Sequence, residues 1–283
     1  MIGRWRSASQ TAALGLLLVT PLLNYRDITC VQGWFQSLAI GSLWLVSPLE
    51  GLECILVAHT LYGPLLVGMV LPVLSAALLG TVFCSWICPV NTLQVWSDRL
   101  LAPWLARHRR DRHVPRTLQW YVLALELLLA LVLGTPLFVF LSPPGLVGRE
   151  LMMLVFFRTL AVEGALLLVI LGLNLFTRRF FCRAFCPLRG LLALLGARRR
   201  LVVARVDEVG PGCRHCDEAC PLGLAPSTGE GASVHCWNCG RCVDACSDGG
   251  LKLIWRRRGQ PRREPCQEGE LPVIRVDGPG EGG

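Results

Sequence analysis

The spacing of the cysteines limits this chain more than any other feature. Of fourteen cysteines, eleven stand in C-x2-C or C-x3-C steps. Thiols that close in sequence suit a shared metal or cluster better than a disulfide framework. The densest run is Cys236-x2-Cys239-x2-Cys242-x3-Cys246. A tight loop with two-residue gaps brings three thiolates to one small volume, and the fourth ligand arrives from a distant segment. Upstream, Cys213-x2-Cys216-x3-Cys220-Pro221 repeats the run without its first cysteine, and Gly210 stands in that place. Crossed pairing then gives one complete site, Cys236, Cys239, Cys242 and Cys220. A second has three thiols, Cys213, Cys216 and Cys246. Its fourth ligand is Cys266, His215, Asp207 or a hydroxide, or it holds a three-iron cluster; Cys266 is the simplest thiolate candidate. The expected cofactors are two 4Fe-4S clusters, the second open to a 3Fe-4S form or a non-cysteine ligand. Structural zinc also favours C-x2-C pairs, usually two per ion, but the C-x3-C steps fit interlocked cubanes better.

A second pattern occurs twice. Phe83-Cys84-Ser85-Trp86-Ile87-Cys88-Pro89 and Phe181-Cys182-Arg183-Ala184-Phe185-Cys186-Pro187 each follow an apolar hairpin. The hairpin turns echo each other too, Val46-Ser47-Pro48-Leu49 against Leu141-Ser142-Pro143-Pro144. Such self-similarity marks a duplicated unit. A spacing of four puts both thiols of a pair on one helix face. Packed about a pseudo-twofold axis, Cys84, Cys88, Cys182 and Cys186 would converge into a four-thiolate metal site. The plainer alternatives are a redox-active thiol pair or cysteines packing a helix end.

Hydrophobic residues make up 53% of the chain and charged residues 17%, with a mean hydropathy of +0.49. A soluble domain carries about a quarter charged residues. The apolar residues concentrate before residue 177 and most basic ones follow it. Windows of about 20 apolar residues predict transmembrane helices near 7–25, 62–83, 118–141 and 151–176. The first is read as a retained helix, because no small-x-small cleavage site follows it. Residues 26–60 are mixed and read as interfacial. The expected fold is an all-α four-helix transmembrane domain of two hairpin repeats, residues 1–200. A small α+β ferredoxin-like two-cluster domain follows at 201–255, then a basic, Gly-rich tail at 256–283. The basic residues place both termini and the iron–sulfur domain on the cytoplasmic side of a bacterial inner membrane.

The net charge of +8 is almost all Arg, set beside apolar spans, which points to a membrane partner and not to nucleic acid. Glu126 and Glu163 sit within apolar runs. A buried carboxyl there could accept a proton released when a quinol is oxidised. Arg158 faces a bundle interior or an interface. Cys30 and Cys54 form a disulfide or stay free. No C-x-x-C-H step and no Gly-rich phosphate fingerprint occurs, which argues against covalent haem and bound nucleotide.

The order hairpin, F-C-x3-C-P, hairpin, F-C-x3-C-P, ferredoxin run resembles the NapH and MauN group of membrane ferredoxin-type proteins. It is more distantly similar to the membrane part of NosR. The resemblance implies a quinol dehydrogenase component that takes electrons from quinol and passes them, through ferredoxin-type or other redox subunits, towards a periplasmic enzyme. That enzyme would be a nitrate reductase or a methylamine dehydrogenase system. The missing first cysteine departs from the NapH pattern of two complete runs and makes a MauN-like member a contender. The rival reading is a maturation factor that uses the clusters for reduction or metal handling.

Overall fold

The computed structural model describes residues 2–26, 31–34, 36–41, 43–109, 114–136, 142–205, 215–246 and 249–256. Helix α1 spans Ile2–Tyr25. The segment read as interfacial contains an antiparallel meander, β1 Val31–Trp34, β2 Ser37–Ile40 and β3 Leu43–Val46. Val31 pairs with Ile40 and Ser37 with Val46. Ser47-Pro48 then opens α2, Pro48–Ala58, where proline suits a first helical turn that needs no amide donor.

The two repeats are visible in the backbone. In the first, α3 (Gly63–Leu79) leads to the short α4 (Val82–Trp86) and then α5 (Pro89–Leu100). After α6 (Ala102–His108), α7 (Leu118–Leu133) and α8 (Pro143–Phe156), the second repeat follows. It runs α9 (Val162–Phe176), α10 (Phe180–Ala184) and α11 (Pro187–Leu195).

The transmembrane expectation is overturned. Among the described residues no helix is long and apolar enough to cross a membrane. Helix α1 has 24 residues but opens on Arg4, Arg6, Ser7, Ser9 and Gln10. Helices α3, α7 and α9 have 17, 16 and 15 residues, short of the about 20 a span requires. The breaks have local causes. Gly80 turns at φ +79° and Gly134 at φ +63°, conformations open to glycine without a Cβ penalty. The predicted 151–176 helix divides in two around Arg158, which sits at φ +53°. A hydropathy window registers composition and is blind to such turns. The multi-pass inner-membrane placement rested on those four spans and falls with them. The first part of the chain is also not all-α, since it carries the three-stranded meander.

The cysteine-rich segment is closed at its base by a second sheet. Strand β4 (Leu201–Arg205) pairs antiparallel with β5 (Leu251–Trp255), Leu201 opposite Trp255 and Arg205 opposite Leu251. Two short helices, α12 (His215–Glu218) and α13 (Arg241–Ala245), lie between them in sequence. One apolar core joins Val203 and Leu251 of this sheet to Leu188, Leu191 and Leu192 of α11 and to the thiols of both cysteine regions.

Hydrogen bonds tie the cysteine-rich loop to the first repeat. Thr81 Oγ1 donates to the Cys236 carbonyl at 3.1 Å and Trp86 Nε1 to that of Asn238 at 3.3 Å. Asn238 Nδ2 donates at 2.8 Å to both Leu79 and Leu201 carbonyls. At the N-terminus, Arg6 Nη1 donates to the Cys239 carbonyl at 2.6 Å. The amides of Ile2 and Gly3 donate to Asp244, which lies on α13.

Candidate cluster sites

Each F-C-x3-C-P motif is a broken helix. The first cysteine of each lies inside a five-residue helix, Cys84 in α4 and Cys182 in α10. The second cysteine is the N-cap of the next helix, Cys88 for α5 and Cys186 for α11, with proline at the first position. Proline cannot donate to a preceding turn and biases the residue before it towards extended backbone. Each pair is therefore presented by a corner and not by one helix face, as the spacing alone suggested. The two corners share their hydrogen bonds. The amides of Ile87 and Cys88 both donate to the Phe83 carbonyl, and those of Phe185 and Cys186 both donate to that of Phe181.

Cys84, Cys88, Cys182 and Cys186 line one small cavity, together with Phe83, Val90, Asn91, Leu188, Arg189 and Trp237. Cys84 and Cys186 are 8% exposed. Burial raises all four thiols, Cys88 to about 12, because an isolated thiolate is poorly solvated there. The thiols of this group also repel one another's charge. Two buried cations oppose this. Arg189 acts on Cys84, Cys182 and Cys186, and Arg179 on Cys88 and Cys182.

The Arg179 cation is held by a buried polar network. Its Nη2 pairs with Asp98 Oδ2 at 3.0 Å, and its Nη1 donates to Asn174 Oδ1 at 3.1 Å and Gln94 Oε1 at 3.4 Å. Cys182 Sγ lies 3.7 Å from the same Gln94 oxygen. Arg109 forms a second ion pair with Asp98.

The second site lies in the cysteine-rich loop. Cys220, Cys236, Cys239 and Cys242 are near enough to feel one another's charge. Burial pushes Cys236 up to about 12, against the pull of Arg199. The structure also places Cys216 beside Cys246. Cys213, Cys266 and Asp207 lie outside the described residues, as do Cys30 and the tail from residue 257. His215 opens α12 next to Cys216. Cys54 in α2 is a free thiol.

The donor chemistry fits clusters. Both groups are all-sulfur, and soft thiolates select iron–sulfur centres or zinc. Among the described residues no three His, Cys, Asp or Glu side chains converge closely enough to hold one metal ion. A cluster carries its thiolates at the corners of a larger body than one ion.

The two carboxyl candidates differ. Glu126 of α7 is pushed up to about 8, first by burial and then by Glu53. Its Oε2 is buried with no hydrogen-bond partner. Glu163 instead pairs with Arg149 at 3.4 Å.

Sequence reasoning missed Trp237, Arg189, Arg179, Asp98 and Gln94. Trp237 and Arg189 had one available signal, since each lies within three residues of a cysteine motif. Asp98 and Gln94 had none, because only packing brings α5 against α9 and α10.

The fold and its sulfur-lined sites define an iron–sulfur electron-transfer protein. Residues 62–110 and 160–203, which contain the two F-C-x3-C-P corners, match the 4Fe-4S binding domain family. The chain is 30% identical over 266 residues to the ferredoxin-type protein NapH of Escherichia coli, covering 87% of each chain. It is 29% identical to NapH of Haemophilus influenzae, covering 89% of each. It is also 30% identical to the methylamine utilization ferredoxin-type protein MauN of Methylorubrum extorquens, covering 86% of this chain and 74% of that one. The chain belongs to this NapH and MauN family of ferredoxin-type proteins. No solved structure matches it.

Proposed function

We propose that this protein takes electrons from quinol and passes them one at a time, through clusters held by its cysteine groups, to a partner oxidoreductase. The partner would be of the nitrate-reductase or methylamine-dehydrogenase kind. The observation that carries this reading is that Cys84, Cys182 and Cys186 share one apolar core with Cys220, Cys236, Cys239 and Cys242, and Cys88 lines one cavity with the first three. Cys213, Cys216 and Cys246 would serve a third set of ligands.

A cluster bound at each group supplies one-electron storage at a potential set by its ligands and surroundings. The chain's own residues do the rest. The two proline corners hold the four thiols at one cavity, and Phe83, Val90 and Leu188 keep water from it. Arg179 and Arg189 place positive charge where thiolates must form. Glu126, held neutral near pH 7, would take up a proton only after losing its own, so it suits a relay that hands protons on.

Purification without oxygen tests the proposal. Iron and acid-labile sulfide should be present, and a quinol analogue should reduce the sample. Replacing Cys84, Cys88, Cys182 and Cys186 by Ser should remove part of the iron and leave the rest. A colourless wild-type sample without iron would overturn the reading. If the clusters form but quinol fails to reduce them while dithionite succeeds, the carrier role stands and the donor is wrong. Deleting the gene separates the rival: a maturation factor leaves its partner enzyme absent or cofactor-poor, whereas an electron carrier leaves it active with artificial donors.

A further inference from the structure

Arg189 is a cation where few are found. It is 4% exposed, and no ion pair is formed with it among the described residues. Taking a guanidinium out of water is costly unless negative charge nearby compensates it. Its hydrogen bonds go to neutral carbonyls on two different segments. Nη1 donates to Cys182 at 3.1 Å and Arg183 at 3.2 Å, and Nη2 donates to His235 at 3.1 Å. The first two belong to the second F-C-x3-C-P corner, and His235 immediately precedes Cys236. The groups whose charge favours the cation are Cys84, Cys182 and Cys186.

Trp237 follows Cys236 on the second of these segments. The Arg189 guanidinium carbon lies 5.7 Å from its ring centroid. The ring lines the cavity of Cys84, Cys88, Cys182 and Cys186. It also lines a neighbouring cavity with Cys239 and Pro221. Trp237 is 1% exposed, and its Nε1 is buried without a hydrogen-bond partner. An indole N–H can only donate. An unsatisfied donor in a core is unfavourable, and an acceptor bound in the adjoining cavity would satisfy it.

We propose that Arg189 and Trp237 form the junction between the two four-thiol sites and tune the one made by Cys84, Cys88, Cys182 and Cys186. Arg189 balances the negative charge of a cluster held there, and Trp237 donates its indole N–H to the sulfur of that cluster. The inference rests on the reading that these thiols hold a cluster. It makes both side chains positioning residues. Positive charge and N–H donors near cluster sulfur stabilise the reduced, more negative form and so raise the potential.

The test is a potentiometric titration of the iron-loaded protein, followed by EPR. Loss of one signal in the fourfold Cys→Ser variant identifies the site. Arg189→Gln keeps donors for the carbonyls and removes the charge. It should lower the midpoint of that signal, by roughly tenfold in the oxidised-to-reduced ratio, about 59 mV for one electron. Arg189→Lys keeps the charge and should restore most of the shift. Trp237→Phe keeps the ring, removes the donor, and should lower the same midpoint alone. A purely structural role predicts that Gln and Lys behave alike. Unchanged midpoints in Arg189→Gln and Trp237→Phe, with wild-type iron content, would overturn the proposal. Should Arg189→Gln not fold, Trp237→Phe decides it. Full iron content in the fourfold variant would instead sink the site reading, and the junction with it.

Discussion

The hydroxyl of Ser85 donates to the main-chain carbonyl of Trp237 at 2.9 Å, joining buried residues 152 positions apart. Ser85 is 1% exposed, and its own carbonyl accepts from Gln10 Nε2 at 2.8 Å. The first F-C-x3-C-P corner thus grips the start of the ferredoxin run. Ser85→Ala leaves a buried carbonyl without its donor, a loss of about 1–3 kcal/mol. The expected result is a lower denaturant midpoint with an unchanged slope. Ser85→Thr, which keeps a hydroxyl, should fall between Ala and wild type.

Asp98 is the shared counter-charge of Arg179 and Arg109. Removing one partner of a buried pair strands the other, at a cost of about 3–5 kcal/mol. Asp98→Ala should therefore destabilise the protein severely. The Arg116–Glu230 pair is bidentate but more exposed, with side chains 38% and 20% accessible. Surface pairs contribute about 0–1 kcal/mol, so Glu230→Gln should cost far less. Equal costs in chemical denaturation would refute the distinction.

Ligand crossing predicts different spectra for two neighbouring cysteines. Cys220 lies with Cys236, Cys239 and Cys242, whereas Cys216 lies with Cys246. Cys220→Ser should alter the EPR signal also altered by Cys239→Ser. Cys246→Ser should alter a different one, shared with Cys216→Ser. If Cys220 and Cys216 variants disturb the same signal, each run binds its own cluster uncrossed.

The carboxyls of α2 and α7 give a stability that depends on pH. Burial, followed by the charge of Glu53, pushes Glu126 to about 8 and Glu50 to about 7. The ordinary value is 4.5. Between about 4.5 and 8 the unfolded chain has lost protons that the folded chain still holds. Stability therefore falls as pH rises through that window, because the unfolded state binds fewer protons. Glu126→Gln should flatten the upper part of the decline. Denaturation midpoints between pH 5 and 8.5 check it, and a slope of the opposite sign would contradict the buried neutral form.

Local order along the chain carried most of the chemistry. The eleven closely spaced cysteines named the cofactor class, since thiolate number and spacing limit what can bind. The doubled F-C-x3-C-P motif announced two equivalent units, and these recur as two proline corners with matching hydrogen bonds at Phe83 and Phe181. The helical spans were misread because hydropathy sums residues regardless of backbone direction. Gly80, Gly134 and the Arg158 turn interrupt those runs. The meander of residues 31–46 escaped notice because its strands are four residues long, too short for alternation to register. Arg189 and Asp98 gained their meaning from neighbours up to 105 and 81 positions away, Cys84 and Arg179. Side-chain type is a local property; burial, charge balance and an orphaned N–H arise from contacts between distant segments, and they exist once the chain has packed.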